Sequence, residues 1–211
     1  MHIVRKESFT TAPWKNGGGV THEAVRVPPA PQPYRWRLSV AEIREDGPFS
    51  DFRGYRRHMA LLRGAGLGLS FENGRVADLA VVGDLVEFDG AAAPQCRLTA
   101  GACVDLNLIT AHSITGVQAS VLRLGEMPRI EAGVDRTVVL FCIEGALVIA
   151  PAAQGPAGLA AWDVAVLGGA DLPAVVSGAA AAGPPPLVFI AAWNDGAGAA
   201  VGTGAGVGAG A

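Results

Sequence analysis

Apolar residues along this chain seldom recur at the 3.6-residue spacing of a helix. They fall instead in short alternating or wholly apolar runs, cut by Gly, Pro and Asp from one end to the other. The pattern predicts an all-β protein. Residues 36–43 alternate well enough to place Trp36, Leu38 and Val40 on one face of a strand and Arg37 and Ser39 on the other. Further strands are predicted over 58–62, 67–71, 85–88, 103–109 and 117–124. Turn chemistry separates them, as at Gly47-Pro48-Phe49-Ser50 and Glu72-Asn73-Gly74. Short strands at this spacing build a sandwich or a barrel.

After about residue 124 the same rhythm continues with fewer polar residues, over 138–143, 146–150, 161–167 and 187–193. This predicts a second, more apolar β unit. The expected organisation is a first barrel over 1–120, a second unit over 121–195, and a Gly/Ala tail over 196–211. That tail has too little side-chain surface to offset the entropy of ordering it. The proline-rich stretch 28–33 reads as an extended surface connection.

The chain has 211 residues, half of them apolar, so it can bury a substantial core. Its net charge of −3 is evenly mixed, and no basic cluster exceeds Arg56-Arg57, which argues against nucleic acid as a partner. Neither a leader-like apolar segment nor a membrane-spanning run is evident, so a cytoplasmic protein is expected. Cys96, Cys103 and Cys142 lack C-x-x-C spacing and sit among apolar neighbours, as buried small residues do.

Three polar features stand out against this background. The run Trp14-Lys15-Asn16-Gly17-Gly18-Gly19 places three adjacent glycines beside an ammonium and an amide. Such a run fits either a mobile turn or a concave nest of backbone N–H groups for an anion, with Lys15, Asn16, Gly17 and Gly18 as its parts. Asp105 and Asn107 share one face of the 103–109 strand, while Val104, Leu106 and Leu108 share the other. A solvent-facing surface would make this an ordinary half-exposed strand, whereas the inside of a barrel would require partners for the carboxylate, with Lys15, Arg37 and Arg57 as candidates. Glu23 shares a face with Thr21 if the segment after the glycines is extended. Ser39 and Ser50 are hydroxyl donors that fit either a ligand or a local turn.

These stretches occur in a fixed order: the Trp14–Gly19 run with Thr21 and Glu23, then Trp36-Arg37-Leu38-Ser39, Asp46-Gly47-Pro48-Phe49-Ser50 with Phe52 and Gly54, and Asp105-Leu106-Asn107-Leu108. In that order they resemble the HutD/Ves family of bicupin proteins over about residues 9–110. Phe141-Cys142-Ile143-Glu144-Gly145 and Ala161-Trp162-Asp163 resemble the family's second unit more loosely. The resemblance implies two small β-barrels in one compact protein, with a ligand pocket in the first. It also implies a role in histidine utilisation, by binding N-formylglutamate or a related pathway acid. The implied binding residues are Lys15, Asn16, Thr21, Glu23, Arg37, Ser39, Ser50, Arg57, Asp105 and Asn107. Arg56 and Ala111-His112 depart from the family pattern, where Asp and an Arg pair are commoner.

Catalytic cupins hold a metal through a His-x-His and Glu set with a further His. His2, His22, His58 and His112 are dispersed and supply no such spacing, so neither metal nor cofactor is expected. A non-catalytic protein binding a small carboxylate metabolite is the first reading. The alternative is a metal-free enzyme acting on a small amide or acid, with Glu23 or Asp105 as base and Arg37 stabilising an oxyanion. Nearby cations are expected to lower the pKa of such a carboxylate and weaken it as a base. An interaction or scaffold role, with the apolar second unit docking a partner or a second copy in a homodimer, is a third.

Overall fold

The computed structural model describes residues 1–14, 17–29, 33–125, 129–130, 135–179 and 184–194, which leaves the 196–211 segment and part of the proline-rich connection outside. In chain order the strands of the first part are β1 (His2–Val4), β2 (Thr10–Pro13), β3 (Gly19–Val27), β4 (Trp36–Ile43), β5 (Gly47–Pro48), β6 (Tyr55–Arg63), β7 (Leu67–Ser70), β8 (Val76–Leu79), β9 (Leu85–Asp89), β10 (Gln95–Leu98), β11 (Cys103–Ala111) and β12 (Gln118–Arg123). Those of the second are β13 (Arg129–Ile130), β14 (Arg136–Glu144), β15 (Ala146–Pro151), β16 (Ala157–Ala160), β17 (Val164–Leu167), β18 (Ala174–Gly178) and β19 (Leu187–Asn194). No α-helix occurs among the described residues, so the fold is all-β. The strand predicted over 161–167 starts only at Val164. The three residues before it form a turn in which Trp162 takes φ 74° and the Asp163 carboxylate accepts the Ala160 N–H at 2.9 Å.

Antiparallel pairing joins the strands into four sheets, ordered β5-β10-β7-β8, β2-β3-β4-β11-β6-β9, β1-β17-β14-β19-β12 and β13-β18-β15-β16. Three apolar cores lie between successive sheets. The first, with Ile43, Met59, Leu61, Leu67, Leu69 and Cys103, fills part of the barrel made by the first two sheets. The third, with Val138, Leu140, Leu147, Ile149, Leu159 and Val176, fills the second barrel. Between them the backs of the two central sheets meet, Leu38, Val40, Leu106 and Leu108 on one side packing against Val139, Phe141, Phe189 and Trp193 on the other. The sheets part the chain near residue 118, so that β12 joins the second unit by pairing with β19, and β1 crosses to it as well and pairs with β17.

Alternation explains this layering. Odd-numbered Val139, Phe141 and Ile143 of β14 face the shared core, while Val138, Leu140 and Cys142 face the second barrel, so the strand is apolar on both sides. Trp36 and Trp193 meet edge-to-face across the joint, with ring centroids 5.4 Å apart. All three cysteines are buried and unpaired with one another.

Because the middle core belongs to both units, they should unfold together. Phe141→Ala, at a fully buried position of that core, is expected to cost about 3–5 kcal/mol. Denaturant unfolding followed by tryptophan fluorescence and far-ultraviolet circular dichroism should then show one coincident transition at a lower midpoint; two separated transitions would contradict the shared-core account.

Candidate functional site

The front of the six-stranded sheet carries polar groups where β3, β4, β11 and β6 run side by side. Register sets them in rows. Thr21 lies opposite Ala41, which lies opposite Asp105; Glu23 lies opposite Ser39, which lies opposite Asn107; Arg26 lies opposite Arg37, with Ile109 and then Arg57 beyond it. These rows face a cavity of about 600 Å³. Pro48, Phe49, Ser50 and Phe52 from the β5 region close one side, and Thr10, Ala12, Pro13 and Trp14 of β2 and its exit close another. Trp14 is fixed by its indole N–H, which donates to the Thr21 hydroxyl at 2.8 Å.

Arg26 reaches this face through a break in alternation. From Thr21 and Glu23 strict period-two continuation would turn Val25 into the cavity. A bulge between Glu23 and Val25 inserts one residue, so Val25 and Val27 go to the shared core and Arg26 comes forward. Arg26 then grips the Glu23 carboxylate, its Nε 3.0 Å from both oxygens and its Nη2 2.5 Å from Oε2. Sequence reasoning missed Arg26, since no signal in residues 19–27 announces the bulge.

The floor is a hydrogen-bonded series. Arg57 Nη2 donates to Asn107 Oδ1 at 2.5 Å, and the Asn107 amide donates in turn to Asp105 Oδ2. Asp105, Asn107 and Arg57 are all buried, at 1%, 5% and 5% exposure, which rules out the solvated-strand alternative for this face. Burial pushes the Asp105 carboxyl up to about 7, against the opposing pull of the Arg57 charge and the Asn107 amide. The expected lowering by nearby cations is therefore outweighed: desolvation of a carboxylate beneath a protein floor is the larger effect. Burial likewise brings Arg57 down to about 10, which leaves it cationic at neutral pH. Its guanidinium lies 5.0 Å from the ring centres of Phe49 and Phe88 and 5.3 Å from that of Phe52.

Arg37 stands between Tyr34 and Phe52, with guanidinium-to-ring distances of 5.7 and 5.4 Å. Its nearest acid is Glu23, at 3.9 Å from Nη1, and its buried Nε has no hydrogen-bond partner. Asp105 Oδ1 is also buried without a partner. Both atoms lie within the cavity wall, shielded from its open space.

Of the sequence candidates, Thr21, Glu23, Arg37, Ser39, Ser50, Arg57, Asp105 and Asn107 line one cavity. Lys15 and Asn16 lie outside the described residues. Gly17 and Gly18 are not part of the lining and serve the turn: Gly17 takes φ 78° and donates its N–H to the Trp14 carbonyl at 3.1 Å, while Gly18 accepts from Arg44 N–H at 2.9 Å. Gly19 is required by close approach, because a Cβ there would sit 2.3 Å from the Glu42 carbonyl oxygen and 2.9 Å from the Trp14 ring. The aromatic contribution of Tyr34, Phe49 and Phe52 also escaped the candidate set, although Phe49 and Phe52 stand within the motifs. Among the described residues no group of three or more His, Cys, Asp or Glu side chains is gathered to hold a metal, and no helix is long and apolar enough to cross a membrane.

Asp105 makes stability depend on pH in a defined direction. Its folded pKa of about 7 lies above the unfolded value of 3.8, so the native state keeps a proton that the unfolded chain releases, and stability falls as pH rises through that window. Asp105→Asn should therefore melt higher than wild type at about pH 8, by an amount that shrinks steadily toward about pH 4. Thermal unfolding across that range checks it, and a gap independent of pH would contradict the assignment.

Comparison with known proteins supplies the family and the fold. The chain is 38% identical over 112 residues to an uncharacterised 21.2 kDa protein of the hutC 3′ region of Pseudomonas putida, an alignment covering 53% of this chain and 58% of that one. It is 41% identical over 56 residues to protein Ves of Escherichia fergusonii, covering 26% of this chain and 29% of the relative. The chain thus spans well under two thirds of the length of the curated relatives it matches. The solved structure of HutD from Pseudomonas fluorescens SBW25 superposes with a TM-score of 0.75 at 27% identity, covering 92% of this chain and 99% of that one. Oxalate decarboxylase of Bacillus subtilis, at 12% identity and a TM-score of 0.58 over 92% of this chain and 77% of its own, shares the fold alone and marks it as a cupin fold. The HutD family profile matches residues 6–182, and the chain belongs to the HutD family.

Proposed function

We propose that this protein is a non-catalytic binder of a small carboxylate metabolite, N-formylglutamate or a related acid of histidine utilisation, and that binding moderates the pathway's flux or expression. The observation that carries the reading is the Arg37 guanidinium, which lines the cavity and whose nearest described carboxylate, Glu23, stops 3.9 Å away, beyond hydrogen-bonding distance. A guanidinium held short of a hydrogen-bonded acid is the group a ligand carboxylate best engages, through charge-assisted hydrogen bonds. Asp105 on the cavity floor adds a preference for a ligand that also brings an N–H or O–H donor, as an N-acylated amino acid does. Ser39, Ser50 and Asn107 supply neutral polar contacts around these two groups. The name of the Pseudomonas putida relative, from the hutC 3′ region, supports the metabolic setting.

Calorimetric titration of the full chain with N-formylglutamate, glutamate, urocanate and histidine tests the reading. Saturable, selective binding is expected, weakened at least about tenfold by Arg37→Ala, as the loss of a charge-assisted hydrogen bond implies. No binding to any of the four, or equal binding by the variant, would overturn it.

The Asp105 carboxyl, held near 7, favours one second reading: a metal-free enzyme in which Asp105 exchanges a proton with a small amide or acid and Arg37 steadies developing negative charge. Its signature would be time-dependent loss of N-formylglutamate, followed by nuclear magnetic resonance and abolished by Asp105→Asn. An unchanged ligand spectrum over hours would leave the binding role.

A further inference from the structure

The cavity contains a carboxylate of the protein's own beside the very guanidinium that a ligand acid would use. Glu23 Oε2 lies 3.9 Å from Arg37 Nη1, within ion-pair range but beyond hydrogen-bonding distance. A carboxylate tethered this close competes with any free acid at high effective concentration. It has not closed onto Arg37, and Arg26 holds both Glu23 oxygens at hydrogen-bond distance instead. Arg26 and Arg37 are direct cross-strand neighbours, two like charges that repel each other unless a carboxylate stands with them. The bulge between Glu23 and Val25 is what turns Glu23 and Arg26 to the same side.

We propose that Glu23 is a built-in competitor for the anion position on Arg37, and that Arg26 sets ligand affinity by holding that competitor aside. The inference rests on the carboxylate-binding reading and assigns two roles within it. Glu23 is a specificity-determining residue that opposes acids in proportion to their demand on Arg37. Arg26 is a positioning residue, acting on the ligand through Glu23.

The experiment is a double-mutant cycle read by titration with N-formylglutamate on the full-length protein, with near-ultraviolet circular dichroism to confirm each variant's fold. Glu23→Gln, nearly the same shape, should tighten binding by about three- to fivefold, the size expected of a partly exposed charge pair. Arg26→Ala should weaken binding, because the freed Glu23 then occupies Arg37. In the Glu23→Gln background the same Arg26 change should have little effect. Weaker binding by Glu23→Gln would mean that Glu23 touches the ligand directly and would overturn the inference, even if Arg26→Ala fails to fold. An equal loss from Arg26→Ala in both backgrounds would also overturn it, reducing Arg26 to a general contributor of positive charge. In either case binding by the wild type would leave the carboxylate reading intact. Absence of binding by wild type and by Glu23→Gln would remove that reading and this inference together.

Discussion

The constraint on which the rest depends is that the six-stranded sheet has two faces with opposite duties and a side-chain period of two. On β4, Leu38 and Val40 enter the joint between the barrels while Arg37 and Ser39 face the cavity; on β11, Leu106 and Leu108 enter the joint while Asp105 and Asn107 face the cavity. A slip of one residue in either strand would drive a charge into the shared core and turn leucines into the site. Register is thereby enforced from the back of the sheet, by packing against Phe141, Phe189 and Trp193, groups that never touch the cavity. The site's geometry is a consequence of the joint's hydrophobicity.

Within the cavity the charges are arranged so that most are already occupied. Arg26 is engaged by Glu23, and Arg57 by Asn107, which in turn holds Asp105. Among the described residues three guanidiniums face two carboxylates, and burial pushes one of those carboxyls, Asp105, up to about 7. The uncompensated positive charge therefore settles on Arg37, the group whose aromatic neighbours hold it in place without neutralising it.

Much of this was legible in the sequence because it follows strict alternation. The two faces of residues 36–43 and the common direction of Asp105 and Asn107 are properties of period two, and the structure keeps them. What broke alternation was not legible. The β3 bulge exchanged Val25 for Arg26, and no local composition marks it, since its cause is the need to place Val25 and Val27 against the shared core. Strands β16 and β18, rich in Ala and Gly, carry too little side-chain contrast to be seen as strands, and pairing with β15 is what defines them. The crossing of β1 to β17 joins residues more than 150 positions apart, a distance over which periodicity carries no information. The glycine run fits a turn or a nest on sequence alone; Gly17 and Gly18 take part in the turn, and Gly19 answers to a neighbouring carbonyl.

The two barrels share a fold but divide the work, and the division has an energetic reason. Burying Asp105 and Arg57 within a barrel costs several kcal/mol even when they are linked through Asn107. The first barrel's interior is partly given over to this cluster and to an open cavity, so its own core, limited to residues such as Met59, Leu61 and Leu69, is reduced. The second barrel's core is apolar among the described residues, its buried Asp163 and Asp171 are paired with Arg5 and the Met1 ammonium, and the sheet it lends to the joint is apolar on both faces along β14. Apolar burial at about 25 cal/mol per Å² scales with area regardless of which side of a sheet supplies it. The second unit thus stabilises the site sheet from behind, and a polar cavity that a lone small barrel would hold only with difficulty becomes tolerable in a protein of this size.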